Sequence, residues 1–388
     1  MRALPLVDFS LCCALGSSVD AVARQLSTGQ TGLRAAPFEL GYAAPSGLLL
    51  DALPPLPGRL AAYETRQARL TVATLEPLLG RIGATVRRVG AERVGVVLGS
   101  SNGGLDTTER VYAARLASSA ATAALSLNAQ HAFHAMLSVI RELTGIAGPA
   151  HVVSTACSSS GKAFASGARL IAAGLADAVL VGGIDALCEM TLRGFRSLGV
   201  LAEEPCRPFG VRRPGINIGE GAALFLLERD ADAGLALLGC GETSDGYHMT
   251  APEPDGEGAE RAMQQALHDA QLDPSAIDLI NAHATGTDQG DSSEARALER
   301  LFGARTPVIS TKGYTGHALG AAGAVEAALS LICMQRSLIP CSLGAAPLDA
   351  SLALDVVQQP RSASLRNVLS NSFAFGGSNV CVIFGKAA

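Results

Sequence analysis

Between Ala150 and Asp185 the chain reads strand, helix, strand, and this pattern constrains its fold more than any other. Residues 150–154 are apolar and β-branched, residues 157–173 are small helix formers stopped by Gly174, and Ala178-Val179-Leu180-Val181 is a continuous apolar run bounded by Gly182-Gly183. A unit of this kind joins two parallel strands by a right-handed crossover. It places Cys157 at the strand-to-helix turn. Further strand-like runs lie at residues 93–98, 222–228, 235–239, 278–281, 308–310 and 380–383, with helical stretches between several of them. The expected fold class is therefore α/β, with parallel sheets covered by helices. The length of 388 residues allows two or three domains, and 48% hydrophobic against 17% charged residues supplies a large core.

The nine cysteines are odd in number, show no CxxC pairing and include the adjacent Cys12 and Cys13, which argues for a reducing, cytoplasmic setting over a disulfide framework. The first residues form no uninterrupted apolar leader. The most membrane-like stretch, residues 318–334, carries Glu326 among small residues and reads as a buried helix, not a membrane span. A formal net charge of −5 argues against bulk nucleic-acid binding.

Three distant segments each frame one reactive side chain with small residues: Ser154-Thr155-Ala156-Cys157-Ser158-Ser159-Ser160, Asn281-Ala282-His283-Ala284-Thr285-Gly286-Thr287 and Lys312-Gly313-Tyr314-Thr315-Gly316-His317. Each alone is weak, because a buried cysteine is ordinarily a small hydrophobe and a lone histidine a satisfied core or surface group. Together they point to covalent acyl chemistry. A thiol at the first turn of a helix sits beside unpaired N–H donors and the positive end of the macrodipole, so Cys157 is expected to have a lowered pKa and to act as the nucleophile. Its own N–H is a candidate oxyanion donor. His283 follows a strand at its C-terminal end, where α/β folds commonly place sites, and His317 precedes a small-residue helix. Both are placed to donate to a thioester oxygen. The remaining eight cysteines lack such framing, and His248 reads as structural. The turn Phe373-Ala374-Phe375-Gly376-Gly377 lacks the lysine of a phosphate loop.

With Asn371-Ser372-Phe373-Ala374-Phe375-Gly376-Gly377-Ser378-Asn379, these segments make the chain resemble the type I/II β-ketoacyl-acyl carrier protein synthases, condensing enzymes of the thiolase superfamily. The resemblance implies an αβαβα sandwich of two similar halves, residues 1–233 with the nucleophile and residues 234–388 with the histidines and a gating loop. It implies a decarboxylative Claisen condensation: Cys157 is acylated, and His283 and His317 stabilise the enolate of a malonyl thioester. By the same resemblance Lys312 and Glu326 form a supporting pair, and Thr285 and Thr287 bind the pantetheine arm. Phe375, with Phe373 beside it, gates the site and completes the oxyanion hole, and Asp245 controls that gate. No cofactor or metal is implied, since the substrates ride on the phosphopantetheine arm of an acyl carrier protein. The acidic carrier would need basic residues to dock on, for which Arg66, Arg69, Arg193, Arg196, Arg212 and Arg213 are candidates. The partner subunit is either a second copy or a chain-length partner, and Ser158 to Ser160 with Ile216-Asn217-Ile218 resemble the ketosynthases of aryl polyene clusters.

The chain departs from the pattern at Gly210 and Pro214, where the family usually has aspartate, and at Ala374, usually glycine, which puts loop geometry and chain-length preference in question. Three other readings compete. A thiolase carries a second cysteine in place of a site histidine and does not decarboxylate, whereas the third segment here holds His317. A papain-like hydrolase would show a Trp-bearing motif, and the chain has no Trp. A non-catalytic chain-length partner lacks the nucleophile, and Cys157 speaks against it.

Overall fold

The computed structural model describes residues 1–118 and 125–387. Its main sheet has eleven strands: β1 (Leu4–Cys13), β2 (Val94–Gly99), β3 (Ala150–Val153), β4 (Ala178–Asp185), β5 (Gly221–Glu228), β6 (Leu235–Ser244), β7 (Leu279–Asn281), β8 (Pro307–Ile309), β9 (Asp355–Val356), β10 (Asn367–Ala374) and β11 (Ser378–Lys386). Their spatial order is β9-β8-β7-β10-β11-β6-β1-β5-β4-β2-β3. One pattern occurs twice in it. The strands β1 to β5 lie in the order 3-2-4-5-1, and β6, β7, β8, β10 and β11, taken as first to fifth, lie in that order again.

The strand–helix–strand unit is present, with β3 and β4 both parallel to β2 between them. The expectation of parallel sheets holds only toward the outer strands. Near the seam β1 runs antiparallel to β5 and β6, β4 antiparallel to β5, and β11 antiparallel to β6 and β10. The linkers explain the reversal between β10 and β11, where three residues, Phe375-Gly376-Gly377, can make a hairpin but not a crossover.

Two helices form the middle layer. α1 (Ser159–Ala172) touches β2, β4 and β11, and α5 (Ala322–Arg336) touches β1, β5 and β10, so each is gripped by strands from both repeats. The stretch that looked most membrane-like is this buried α5, enclosed from Ala322 through Met334. No helix among the described residues is long and apolar enough to cross a membrane. Outer helices complete the layers, with Arg66–Leu75 packed on β1 and β5 and α3 (Glu257–Ala270) on β6 and β11.

The N-terminal ends of α1 and α5 cross at glycines. A Cβ on Gly323 would stand 2.9 Å from the backbone N of Gly161, and one on Gly161 would stand 2.5 Å from Val380 Cγ1. Ser160 Oγ accepts the Ala324 N–H at 2.9 Å across the same crossing. This close approach brings the segments just before the two helices, which carry Cys157 and His317, to one place.

Candidate active site

The chain leaves β3 through Thr155 and Ala156, and Ala156 adopts φ 50°, a left-handed conformation costly for a residue with a Cβ. That turn presents Cys157 one residue ahead of the cap, because Ser158 is the N-cap and α1 begins at Ser159. Ser158 Oγ donates to Thr155 O at 2.8 Å and lies in hydrogen-bond contact with Ser378 Oγ at 3.0 Å, tying the cysteine turn to the start of β11. Cys157 is 8% exposed. The expectation of a lowered thiol pKa is overturned: burial pushes it up to about 12, and the charge of Lys312 pulls only partly the other way.

His283 follows β7, and its placement comes from a residue that the sequence alone did not single out. Glu294, on α4 (Asp288–Phe302), accepts the backbone N–H of His283 at 2.9 Å and of Ala284 at 2.7 Å, while Asn371 Nδ2 donates to the same carboxylate at 3.0 Å. On the side chain, Lys312 Nζ stands 3.5 Å from Nδ1. His317 is held by its backbone, donating to Asn217 O at 2.7 Å and accepting from Gly219 N at 2.9 Å, and neither ring nitrogen has a partner. The two imidazoles meet edge to face with centroids 5.3 Å apart. Burial, and then the nearby Lys312 charge, hold both well below the ordinary histidine pKa, so both rings are neutral at pH 7. Lys312 and Glu326, 1% and 3% exposed, form a buried ion pair, and burial raises Glu326 to about 7.

Cys157, His283 and His317 thus converge, with their ligating atoms within 4.8 Å of one another. They line a cavity of about 500 Å³ that also includes Thr285, Thr287 and Phe375. The hydroxyls of Thr285 and Thr287 lie 3.1 Å apart along its wall. Phe375 is half-buried, its ring 5.8 Å from that of Phe195 on α2 (Glu189–Ser197), while Phe373 lies 6.0 Å from His283. Asp245 stitches the loop that carries Phe375: its N–H donates to Gly377 O at 2.9 Å and its carboxylate accepts from Asn379 Nδ2 at 2.6 Å. His248 Nδ1 accepts the N–H groups of Thr250 and Ala251, a role internal to its loop.

The six arginines do not gather into one patch. Arg66 binds the fully buried Glu220, with Nε to Oε2 at 2.6 Å, and Arg69 pairs with Glu64; both lie on the helix Arg66–Leu75, away from the cavity lining. Arg213 lines the cavity but is 8% exposed and paired with Asp288 and Asp349. Arg193, Arg196 and Arg212 are more exposed and pair with Glu189, Glu203 and Glu204. Glu294 and Phe195 were missed from sequence, and Asn371 and Asn217 lay inside motif segments without a role of their own. A carboxylate in a helix such as 288–302 reads as a solvated face, and only the eleven-residue return to His283 reveals its role.

The chain matches the sequence pattern described as "Beta-ketoacyl synthase, N-terminal domain" over residues 56–233, and that described as "Beta-ketoacyl synthase, C-terminal domain" over residues 235–346. It is 33% identical over 328 residues, 76% of each chain, to a 3-oxoacyl-(acyl-carrier-protein) synthase 2 of Staphylococcus aureus. The chain belongs to the β-ketoacyl synthase family. To the Mycobacterium bovis protein of that name it is 39% identical over 249 residues, and the match spans 60% of this chain and 60% of that relative. A solved β-ketoacyl synthase of Burkholderia phymatum superposes with a TM-score of 0.89 at 30% identity, each chain fully covered. The ketosynthase ApeO of Xenorhabdus doucetiae, solved in complex with its chain length factor, superposes with a TM-score of 0.94 at 37% identity, with 99% of this chain and 98% of that one covered. The layered fold of this family member is accordingly the thiolase-like one that the sequence motifs implied.

Proposed function

We propose that the protein is a 3-oxoacyl-acyl carrier protein synthase that joins an acyl thioester to malonyl-acyl carrier protein. The observation that carries this reading is the convergence of Cys157, His283 and His317 at one buried cavity. In the first half-reaction the Cys157 sulfur attacks the acyl carbonyl, and the carrier's thiol leaves with the proton that Cys157 gives up. In the second, a malonyl thioester loses CO₂, the electron pair left behind forms the new C–C bond to the acyl carbon, and the Cys157 sulfur departs as a thiolate that regains its proton from solvent. Charge develops on the thioester oxygen during decarboxylation. Two neutral imidazoles kept from water are suited to hold it, because preorganised donors act most strongly where no solvent must reorganise.

Position supports the other roles in this reading. The Lys312–Glu326 pair orients His283 from behind. Thr285 and Thr287 hold the pantetheine arm along the cavity wall. Phe375, resting against Phe195, is the gate, Phe373 its inner neighbour and Asp245 its tether, and the N–H groups of Cys157 and Phe375 form the oxyanion hole. Residues 1–233 supply the nucleophile and residues 234–388 the histidines. Docking of the acidic carrier protein falls to the exposed Arg193, Arg196 and Arg212, since Arg66 and Arg213 are engaged with buried or cavity-wall carboxylates. The nine unpaired cysteines support a cytoplasmic location. The likeness to ApeO supports an aryl-polyene-type synthase working beside a chain-length partner.

Intact-mass analysis tests the function. Incubated with acyl carrier proteins bearing chains of different length and unsaturation, the protein gains one acyl group on Cys157, and malonyl-carrier protein then discharges it with release of CO₂. Failure to load from every carrier, alone or with a chain-length partner, would overturn the reading.

A further inference from the structure

We propose that Cys157, His283 and His317 also form a three-ligand site for a thiophilic divalent cation, best fitted by Zn²⁺, which reversibly closes the nucleophile. Among the described residues this is the one place where three Cys, His, Asp or Glu side chains gather with their ligating atoms within 4.8 Å of one another. Zinc bonds of roughly 2.0–2.3 Å put neighbouring ligand atoms of a tetrahedron about 3.3–3.7 Å apart, so closing on the ion takes about an ångström of side-chain motion.

The donor set selects the metal. One sulfur and two imidazole nitrogens, with no carboxylate among them, favour Zn²⁺ and other borderline or soft ions over Mg²⁺ and Ca²⁺. Three protein ligands leave a fourth position, and here it would face the cavity, the pattern of zinc sites that stay open. His317 is the second observation. It is 2% exposed, lines the cavity, and has no hydrogen-bond partner on either nitrogen, a costly state that a bound ion relieves.

The surroundings set the strength of the hold. Lys312 Nζ stands 3.5 Å from Nδ1 of His283, so ligation through Nε2 requires the imidazole proton to move to Nδ1 as the ammonium turns aside, and the Lys312 charge also opposes a second cation. Glu326 beside Lys312 and Glu294 behind His283 offset that charge. As the sulfur–metal bond forms, the thiol proton passes to solvent, so no oxidant or reductant is involved. The ammonium makes this a reversible, inhibitory site instead of a permanently filled one.

Titration of the purified protein with Cd²⁺ alone tests the site, because thiolate-to-cadmium charge transfer absorbs in the ultraviolet. One equivalent per chain is expected to saturate the band, which is absent in Cys157→Ser and needs at least about 100-fold more metal in His317→Ala, a ligand loss costing no less than the loss of an outer partner. Should His317→Ala melt early, His317→Asn takes its place. In parallel, one equivalent of Zn²⁺ protects Cys157 of the wild type from iodoacetamide, mapped by mass spectrometry, and EDTA restores alkylation. An undiminished band in Cys157→Ser would assign the sulfur to another cysteine and overturn the proposal, as would full alkylation of Cys157 under saturating Zn²⁺. Neither measurement requires acyl transfer, so a protein that binds Cd²⁺ through Cys157 but never loads an acyl group would sink the proposed function and leave this site standing.

Discussion

Cys157 is held between opposing influences. Burial drives its thiol toward the protonated form, while the Lys312 charge and the N–H groups at the start of α1 favour the thiolate that the proposed reaction needs. Cys157→Ala is therefore expected to abolish acyl loading and condensation together, and acyl mass appearing on any other residue of that variant would remove the nucleophile assignment. His283→Ala and His317→Ala should each retain self-acylation while losing malonyl decarboxylation by at least about 10²-fold, the scale of deleting one donor to a developing oxyanion. Release of ¹⁴CO₂ from labelled malonyl-carrier protein reads this directly, and wild-type release from either variant would contradict the two-donor mechanism. At this scale much was legible, because small residues around Cys157, His283 and His317 mark places where a backbone must come close to something. Two things stayed hidden. The sign of the thiol pKa shift depends on how deeply the turn is buried, and Glu294 acts through backbone N–H groups that leave no trace in spacing.

The elements that position these groups are tight in different ways. α1 and α5 approach through Gly161 and Gly323, so Gly323→Ala places a methyl 2.9 Å from the Gly161 nitrogen and 2.8 Å from Ser372 Oγ. Overpacking of this kind costs about 1–3 kcal/mol. Urea unfolding should show that loss, and an unchanged midpoint would mean that the helices shift apart freely. The loop between β10 and β11 is held instead by the Asp245 and Ser378 hydrogen bonds and by Phe195. Phe375→Ala should speed or broaden acyl loading while weakening condensation, as a gate that no longer shuts. Were Phe375 only core, truncation would cost roughly 3–5 kcal/mol and lower melting without altering chain preference in the folded fraction. The strands read from sequence were those with unbroken apolar runs. β1 escaped because Pro5 and Asp8 interrupt it, and β10 because its buried Ser370, Asn371 and Ser372 look like a polar loop until their neighbours are known.

Across the whole molecule, titration of buried groups couples the site to stability. The depressed folded pKa of His317 contributes stability that is full above the unfolded value near 6.5 and is lost as pH falls below it. Glu326 and Asp291, each raised to about 7, act in the opposite sense, stabilising at low pH and losing that contribution as pH rises toward 7. The difference between wild type and His317→Asn isolates the histidine: wild type should lose up to about 1.4 kcal/mol per pH unit relative to the variant below pH 6.5. Parallel denaturation curves from pH 7 to 5 would disprove the burial of a neutral ring. The α/β class was readable from alternating strands and helices, but the repeated strand order was not, since packing preserves topology where side chains have diverged. β3, which delivers the chain to Thr155, Ala156 and Cys157, is also the last strand of the sheet, and among the described residues it pairs only with β2. A second chain laid along that open rim would brace the Cys157 sulfur four residues away, so the choice of companion would act as a tuning screw on the proposed chemistry.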